Sequence, residues 1–524
     1  MKCMEMKRMF YPVGRGAFYC ERIEVSEEQA VHIVYDCGSL NKNAELKNCI
    51  DEYSSKEFLT GDKEIEILFV SHFDKDHISG IEELVKGKNV KNIVLPYLDI
   101  EDIVLKLVYH IATEEGEEEL ETLIALSQGD IYSALRISPD MPGNIIYIDN
   151  NYASDDWQDS DRGIQIEVGP EDWTWDEKDI PVSDKLILRE VIEQRVTVEG
   201  VVARAKELII SRPCKFLYSC EDICWSWSPF VYKYDTYHNA ILTAINALIV
   251  SEGGTAGDYE FLIRRIDTLR SKIRKIYEGI IARVGKNSGV NAGSLVVYSE
   301  KGKRIAVDKN IVFRESEKKY LSLENSKTGF LYMGDYNAKS DKTYKELETF
   351  LDKHKALRGG VQVPHHGSNN NFREELLDKA SFSIVSANKD EPRFPAREVL
   401  NYATRTSYLY LVTEEANTKV VQKITFKHIS VKDDIIQVLE ELIAKGQLTQ
   451  AQVDELCTST GEEKSILALS ESYAGRDAVT CLESGELTIN KYSSDYIEFS
   501  GKKYFVLNRP QAKRFEEWRK KHSL

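Results

Sequence analysis

The hydrophobic and polar positions of the first 100 residues predict strands joined by short connections. Residues 65–70 (IEILFV) and 93–95 form short apolar runs typical of buried strands, and residues 18–19 and 30–35 carry a similar signal. A helical pattern at 78–85 separates the runs at 65–70 and 93–95. This order of strand, helix and strand is typical of an α/β sheet protein.

Helical patterns dominate the middle of the chain. The clearest one repeats apolar residues at alternating spacings of four and three, namely Leu262, Ile266, Leu269, Ile273, Ile276 and Ile280. Its opposite face is basic. We interpret that face as a solvated helix surface, with a contact for nucleic acid or an acidic partner as the alternative. Strand patterns return at 294–298, 330–333, 361–363 and 383–386, so the helical middle is predicted to be an insertion into one α/β domain.

The composition describes a globular protein and narrows its environment. The hydrophobic fraction is 42% and the charged fraction 30%, which excludes a disordered or membrane-embedded chain. No export signal is visible at the N-terminus, and nine scattered cysteines do not form a disulfide framework, so we predict a cytoplasmic protein. A net charge of −17 argues against nonspecific coating of nucleic acid. It leaves room for a nucleic-acid enzyme whose metal ions neutralise phosphates.

Four potential metal ligands follow directly after the strand predicted at 65–70. The segment SHFDKDH (71–77) contains His72, Asp74, Asp76 and His77. Open α/β sheets place their sites at the carboxyl ends of strands, which is where this segment falls. Imidazole and carboxylate together suit divalent metals.

Three further positions repeat this arrangement. Asp36 lies in YDCGS, Asp335 in MGD, and His365 and His366 in VPHHGS. Each is a ligand-type residue at the end of a predicted strand, followed by a turn that contains glycine. A turn-capping role is the alternative for Asp36. We expect these residues to join the segment at 71–77 in one site.

The ordered set of motifs resembles the metallo-β-lactamase superfamily. The resemblance is strongest to the competence-type branch, the hydrolase domain attached to bacterial DNA-uptake channel proteins. The opening PVGRGAFY (12–19) resembles the VGQGDA segment of that branch, with Arg15 where glutamine is usual, and NAGSLV (291–296) resembles its N-x-x-S-L-V strand. The match covers about residues 10–100 and 288–400.

This resemblance implies an αββα sandwich with two divalent metal ions, Zn²⁺ or Mn²⁺. By position, His72 and Asp74 would bind the first ion, Asp76 and His77 would bind the second, and Asp335 would bridge them. The carboxylate at Asp74 makes the first site richer in oxygen, which makes Mn²⁺ or Mg²⁺ competitive with Zn²⁺.

The remaining site residues are assigned in the same way. One of His365 and His366 would complete the metal site and the other would face the substrate; the sequence leaves open which does which. Asp36 would hold a metal ligand or its loop in position. Candidates for substrate contact are Ser368 and Asn369, with Lys75 as a possible partner for a phosphate and a solvated lysine as the alternative.

Two features depart from the wider superfamily. The common pattern has histidine in place of Asp74, and a further histidine before the GD motif, for which His110 and His238 are the candidates; we interpret both as ordinary histidines. Competence-type proteins usually also have a histidine after the strand that matches 383–386. This chain has SANKDEPRFP there, with Phe394 before the last proline.

The predicted organisation is an α/β hydrolase core at 1–100 and 288–405, a mainly helical insertion at 101–287 and a small α+β accessory domain at 406–524. The predicted function is a phosphodiesterase or nuclease that uses a hydroxide held by the two metals, acting on nucleic acid or another phosphodiester. By analogy alone, such a protein fits a bacterial antiviral defence system.

Two other functions stay open. The same centre could serve a small-molecule ester or lactone hydrolase. Alternatively, the chain could be a subunit of an assembly that is active only with a protein partner bound through the insertion or the C-terminal domain. No membrane association is predicted, because the longest apolar run, at 240–250, is interrupted by polar residues and is far too short to span.

Overall fold

The computed structural model describes most of the chain between residues 5 and 426. The exceptions are 25–29, 42, 59–62, 114–115, 140, 142, 150–178, 182–185, 190–192, 196–205, 211–213, 221–222, 233–237, 285–292, 303–306 and 355. Beyond 426 it describes four strands between 465 and 507. The chain divides into two units. The first contains Met1–Ser154 and Ile166–Lys427, and the second contains Asp155–Gln165 and His428–Leu524.

The strands of the first unit are, in chain order, β1 (Glu5–Phe10), β2 (Gly16–Glu24), β3 (Ala30–Ser39), β4 (Glu64–Ile65), β5 (Ile67–Phe69), β6 (Asn89–Val90), β7 (Asn92–Pro96), β8 (Asn144–Ile148), β9 (Asp179–Pro181), β10 (Leu186–Arg189), β11 (Glu193–Arg195), β12 (Lys206–Ile210), β13 (Phe216–Cys220), β14 (Ile223–Phe230), β15 (Val296–Lys301), β16 (Val307–Arg314), β17 (Tyr320–Ser322), β18 (Gly329–Tyr332), β19 (Arg358–Gln362), β20 (Phe382–Ser386), β21 (Tyr408–Val412) and β22 (Val420–Phe426). The helices are α1 (Asn43–Lys56), α2 (Lys75–Ile78), α3 (Ile81–Val85), α4 (Ile100–Thr113), α5 (Glu117–Ser127), α6 (Ile131–Leu135), α7 (His238–Ser251), α8 (Tyr259–Arg264), α9 (Ile266–Val284), α10 (Asp341–Lys353) and α11 (Arg397–Thr406). Short 3₁₀ turns lie at His365–Gly367, Glu374–Leu376 and Ala416–Thr418.

Two large mixed sheets organise the first unit. The first has the order β11-β12-β8-β7-β5-β3-β2-β1-β22-β16-β17, with parallel pairing from β3 through β5, β7 and β8 to β12. The second has the order β21-β20-β19-β18-β15-β14-β13-β10-β9, with parallel pairing among β18 to β21. The protein is therefore of the mixed α/β class, as the strand and helix patterns predicted.

An aromatic-rich core lies between the two sheets. The ring of Phe10 on β1 lies 4.9 Å from that of Phe330 on β18, and Tyr35 on β3 stacks at 4.8 Å on Tyr332. Successive side chains of a strand point to opposite faces of the sheet, so Met9, which precedes Phe10, faces away from this core. That outer face of the first sheet is covered by α1, α3 and α6.

The remaining helices form a separate apolar cluster or cover the second sheet. Buried leucines and isoleucines of α4, α5, α7, α8 and α9 pack together. On the second sheet, Phe350 of α10 stacks at 4.9 Å on Phe230 of β14. No described helix has the length and apolar character needed to cross a membrane.

The structure differs from the predicted helical insertion. Strands β8 and β12 extend the first sheet, and β13 and β14 extend the second, so the segment 101–287 contributes to both sheets. Although β13 and β14 pair locally, sequence patterns missed their place in the second sheet because β14 joins it by pairing with β15 across more than 60 residues. The predicted domain boundary at 405 also differs from the structure. Strands β21 and β22 pair within the two large sheets, and the second unit resumes at His428.

Several predicted elements have different bounds. The helix predicted at 78–85 is divided into α2 and α3, because the amide of Gly80 donates to the carbonyl of Cys37 (2.8 Å) instead of continuing the helix.

The long amphipathic helix is divided into α8 and α9. Its predicted basic face is partly neutralised, since Arg265 and Lys272 share Glu252, Arg264 pairs with Glu260 and Arg270 pairs with Asp267. This pairing fits the solvated surface better than a nucleic-acid contact.

The second unit contains a four-stranded sheet. Its strands are β23 (Ser465–Tyr473), β24 (Arg476–Glu483), β25 (Tyr496–Phe499) and β26 (Lys502–Leu507), in the order β24-β23-β26-β25. β23 and β26 are parallel, and the other two pairs are antiparallel. The sequence pattern also predicts a helix at 433–444 and a strand at 487–492, and both lie outside the described residues.

Candidate metal centre

The structure brings seven of the predicted ligand residues together where strands of the two sheets end. His72, Asp74, Asp76 and His77 follow β5, Asp335 follows β18, and His365 and His366 follow β19. We refer to these seven side chains as the rim cluster. Three groups within it have ligand atoms that all lie within 4.8 Å of one another: His72 with Asp76 and His77; His77 with Asp335 and His366; and His72 with Asp74 and Asp335.

Asp335 occupies the middle of the rim cluster. Its Oδ1 lies 3.3 Å from Nε2 of His77, and its Oδ2 lies 3.7 Å from Nε2 of His72 and 3.5 Å from Nε2 of His365. One carboxylate oxygen thus faces each side of the cluster. This position suits the bridging role that the sequence resemblance implied.

The other two carboxylates flank Asp335. Asp74 Oδ2 lies 3.4 Å from Nε2 of His72, and its side chain is 41% exposed. Asp76 Oδ2 lies 3.0 Å from Nε2 of His366, while its Oδ1 lies 3.9 Å from Nε2 of His77. Of the two neighbouring histidines, His366 is therefore the one buried among the carboxylates, and His365 is half-buried at the edge.

Asp36 holds two of the histidines from behind. Its Oδ2 accepts a hydrogen bond from Nδ1 of His77 (2.7 Å) and another from Oγ of Ser71 (2.7 Å). Because the Ser71 hydroxyl donates to this carboxylate, it accepts from Nδ1 of His72 (2.9 Å). Carboxylates that orient metal-binding imidazoles in this way are common behind metal sites.

The other two histidines, His365 and His366, are also held through Nδ1. Nδ1 of His366 donates to the carbonyl of Ser386 (2.9 Å). Nδ1 of His365 lies 3.0 Å from Oδ1 of Asn371, whose amide group donates to the carbonyl of Asp335 (2.9 Å) and so fixes the orientation of the amide.

All four imidazoles consequently turn Nε2 towards a carboxylate. With Nδ1 carrying the proton, a neutral ring presents a lone pair at Nε2, and this lone pair faces a carboxylate oxygen. Nε2 of His72 and of His77 is buried and makes no hydrogen bond within the described part of the chain. Buried lone pairs that face one another require a positive charge between them. A divalent cation satisfies this requirement, so the residues present fit a metal centre.

The pKa values of the cluster follow from the same proximity. Burial would raise the pKa of Asp335, but His365, His72 and His77 hold it well below its usual range. Burial likewise opposes the shift at Asp76, where His77 and His366 lower the pKa. Burial would lower the pKa of His77, yet the surrounding carboxylates raise it well above 6.5. In the metal-free protein, a proton on His77 therefore balances the neighbouring carboxylates.

The backbone around the cluster is held in conformations that few residues adopt. Asp36, His365 and His366 have positive φ angles of 57°, 48° and 52°. Such conformations cost on the order of 1–3 kcal/mol each and concentrate at functional sites. Gly38 allows β3 to approach α2, because a Cβ there would lie 2.5 Å from the amide nitrogen of His77.

Three predicted contact residues lie apart from the cluster. Nζ of Lys75 pairs with Glu118 of α5 at 2.8 Å. The carboxylate of Glu118 therefore takes the place that a substrate phosphate was predicted to take beside this lysine. Ser368 is buried, and its hydroxyl accepts from the amide of Asn370 (3.3 Å). Asn369 is exposed. No hydrogen bond within the described residues joins the side chain of Ser368 or Asn369 to the rim cluster.

Sequence reasoning missed some residues and rightly set others aside. His110 is buried on α4, and His238 lies 3.5 Å from Glu101, so neither belongs to the rim cluster. Asn371, which holds His365, carried no distinguishing signal beyond its place in a run of asparagines. Ser71 and Ser294 stood inside quoted motifs without an assigned role; the Ser294 hydroxyl accepts from the amide of Asp335 (3.1 Å).

Comparisons with known proteins add nothing to this geometry, because neither a family model nor a curated protein matches the chain. The chemistry of the site therefore rests on its own donor set. Imidazole nitrogens and carboxylate oxygens in similar number suit Zn²⁺ and Mn²⁺.

Proposed function

We propose that the first unit has the metallo-β-lactamase fold. Two features support this assignment. Two large sheets share one core, with helices on the outer face of each. In addition, HxDxDH, GD and HHGS, the motifs that suggested the family, supply the rim cluster at the ends of strands from both sheets.

The function that the site supports best is hydrolysis by a centre with two divalent metal ions. The observation that carries this proposal is the common orientation of four imidazoles, each with Nδ1 held by an acceptor and Nε2 directed at a carboxylate. His72 and Asp74 would hold one ion, Asp76, His77 and His366 the other, with Asp335 shared. Bound there, divalent ions would lower the pKa of water and polarise the bond under attack.

The side chains around the ions have separate tasks. Asp36 keeps His72 and His77 in the tautomer that leaves Nε2 as the ligand atom. Oδ1 of Asp76 is the candidate atom to accept a proton from the attacking water, because its Oδ2 already faces His366. His365 is half-buried at the edge of the cluster and can contact the substrate.

Phosphodiesters are the substrate class we favour. The resemblance of the motifs to a nuclease-like branch supports this choice. So does the polar character of the opening, where Asp74 and His365 are both partly exposed. Ions held at three carboxylates can also neutralise a phosphate inside a protein with a net charge of −17.

The test is hydrolysis of bis(p-nitrophenyl) phosphate and of single-stranded DNA with Mn²⁺ or Zn²⁺. We expect Asp335→Ala to lower the rate by a factor of about 1,000 or more, because it removes the shared ligand and, with it, metal activation. Asp352→Ala, which removes an exposed carboxylate on α10, is the matched control and should retain activity.

Other outcomes would point elsewhere. Equal activity in Asp335→Ala and the wild type would contradict the proposed centre. Hydrolysis of acyl lactones without phosphodiester cleavage would assign the centre to carbon–oxygen chemistry. Activity that emerges only after a partner protein is added would favour the assembly hypothesis.

A further inference from the structure

Arg15 lies next to the rim cluster and is not neutralised by an acidic residue. No carboxylate oxygen within the described parts of the chain lies within 4.0 Å of its guanidinium. Its Nε is buried and makes no hydrogen bond there. Two buried arginines of this acidic protein are paired, Arg8 with Glu21 and Arg22 with Glu24. Lys75, a further cation close to the cluster, is paired with Glu118.

The backbone of Arg15 is anchored firmly. Its amide donates to Oδ1 of Asn388 (2.8 Å), and its carbonyl accepts from the amide of Leu40 (2.9 Å). Asn388 follows β20, which belongs to the second sheet, whereas Leu40 follows β3 of the first. The loop that carries Arg15 therefore links the two sheets at the edge where the rim cluster lies.

The side chain of Arg15 reaches the cluster through one aromatic ring. Its Cζ lies 5.1 Å from the ring centroid of Phe394, and that ring stacks on His365 with a centroid distance of 5.6 Å and an interplanar angle of 25°. Nε2 of His365 lies 3.5 Å from Asp335. All three stacked residues are partly exposed, so the stack connects the cluster with solvent.

This arrangement suits an anion better than packing alone. A cation on an aromatic face is stabilised by about 0.5–1 kcal/mol at exposed sites, but that contact leaves the N–H donors of the guanidinium unused. Arginine presents these donors in a planar fork that matches the oxygens of a phosphate. A buried donor without an acceptor in the protein is best satisfied by a ligand.

We propose that Arg15 binds a backbone phosphate of a nucleic acid strand, next to the phosphate that lies at the rim cluster. The inference rests on the proposed phosphodiesterase function and narrows its substrate to a polynucleotide. Arg15 would bind substrate and not metal, because it lies outside the groups that could hold an ion. A substrate with a single phosphate would gain little from it.

Binding of a short oligothymidylate tests this inference without reliance on turnover. A fluorescein-labelled strand is titrated with full-length protein in Ca²⁺, and anisotropy gives Kd over a series of salt concentrations. We expect Arg15→Gln to raise Kd about tenfold, as for the loss of one charge-assisted hydrogen-bonded contact. The slope of log K against log salt should fall by about 0.7, the value for one phosphate of a single strand.

Two further variants separate binding from packing. Arg15→Lys keeps the charge and should restore most of the salt slope. Arg393→Gln is the matched control, because Arg393 precedes Phe394 in the same loop, is 73% exposed and pairs with Glu391; it should bind like the wild type. Thermal unfolding of each variant shows whether the fold is kept.

Hydrolysis supplies the second measurement. Arg15→Gln should raise KM for the oligonucleotide about tenfold, with kcat and the KM for bis(p-nitrophenyl) phosphate unchanged. Wild-type Kd and salt slope in Arg15→Gln would overturn the inference, as would an equal loss in Arg393→Gln. An Arg15-dependent salt slope in a protein that hydrolyses neither substrate would overturn the proposed function and leave the phosphate contact standing.

Discussion

Two clusters of buried charge in the first unit differ in how completely the protein satisfies them. The first, which we call the core network, surrounds Arg8 and Glu21 between the two sheets. The second is the rim cluster at the strand ends. Both bury ionised side chains, which is costly unless each charge is paired and hydrogen-bonded. This difference in hydrogen bonding distinguishes buried charges that stabilise the fold from buried charges that are available to bind a ligand.

The core network is complete. The guanidinium of Arg8 donates to Glu21 (2.6 Å), Gln422 (2.8 Å), Thr328 (2.5 Å) and Ser299 (3.0 Å). Glu21 also accepts from Trp227, Ser299 and Tyr332. These contacts join β1 and β2 of the first sheet to β14, β15 and β18 of the second. Such a network fixes how the two sheets pack and leaves no donor for a ligand.

The hydrogen bonds of the rim cluster are complete only at the Nδ1 atoms of its histidines, on the side that faces away from the carboxylates. Each Nδ1 has a partner, whereas Nε2 of His72 and of His77 makes no hydrogen bond among the described residues. A cluster whose Nδ1 atoms are held while Nε2 atoms lack partners is prepared to bind a ligand at Nε2. The comparison therefore predicts that the core network determines stability, while the rim cluster determines metal binding.

The largest effect on stability is expected from Arg8→Ala. It leaves Glu21 buried without its cation, so the free energy of unfolding should fall by about 3–5 kcal/mol. Urea denaturation followed by circular dichroism measures this loss. Arg393→Ala removes an exposed arginine and should change the value by less than about 0.5 kcal/mol. A loss below about 1 kcal/mol in Arg8→Ala would show that the core network is not structural.

Metal binding should stabilise the protein through the rim cluster alone. Mn²⁺ or Zn²⁺ at about one hundred times its Kd should raise the free energy of unfolding by about 2.7 kcal/mol, and a chelator should reverse the gain. Asp335→Ala should lose this response, because it removes the ligand shared by both sides. An equal response in the variant and the wild type would place the metal elsewhere.

The pH dependence of the free energy of unfolding should have opposite signs in the metal-free and the metal-bound protein. The pKa of His77 is raised in the folded, metal-free protein, so its contribution is fully present below about pH 6.5 and is lost as the pH rises through the folded-state value. Over that window the free energy of unfolding should fall by up to about 1.4 kcal/mol per pH unit. Metal must displace the proton on His77, so the affinity for metal should rise over the same range.

Thermal unfolding at pH 6 to 8, with chelator or with metal, measures both trends. The lowered pKa values of Asp76 and Asp335 act in the acid range, where their contribution disappears as the pH falls below 3.8 and through the folded-state values. Parallel trends with and without metal would mean that protons and metal do not compete for the same atoms.

The position of the site could be predicted from local sequence, whereas its support could not. His72, Asp74, Asp76 and His77 are close in the chain and directly follow an apolar run, so the end of the strand fixed their place. Asp36, which the resemblance placed behind the ligands, contacts Nδ1 of His77. By contrast, the carbonyl of Ser386 that holds His366 is a backbone atom, and every residue has one.

Long-range pairing explains what else was missed. The segment around β13 and β14 lacks a pattern that would assign it to the second sheet, because its neighbours in that sheet lie far along the chain. The core network was missed for the same reason. Arg8 and Gln422 are 414 residues apart, and a lone arginine in a strand gives no sign of burial.

The smallest effect is expected at Lys75, which the sequence placed next to the substrate. Its pairing with Glu118 at 2.8 Å lies at the surface, with side chains 37% and 51% exposed. Surface pairs of this kind contribute about 0–1 kcal/mol. We therefore expect Lys75→Met to lower the free energy of unfolding by less than about 1 kcal/mol and to change kcat/KM for single-stranded DNA by less than about threefold.

Glu118→Gln distinguishes pairing from substrate contact, because it frees the lysine without removing it. If the ion pair keeps Lys75 from the substrate, Glu118→Gln should lower KM for single-stranded DNA, and the effect should disappear in the double variant with Lys75→Met. A loss of more than about tenfold in kcat/KM for Lys75→Met alone, which corresponds to about 1.4 kcal/mol, would instead restore this lysine as a substrate contact.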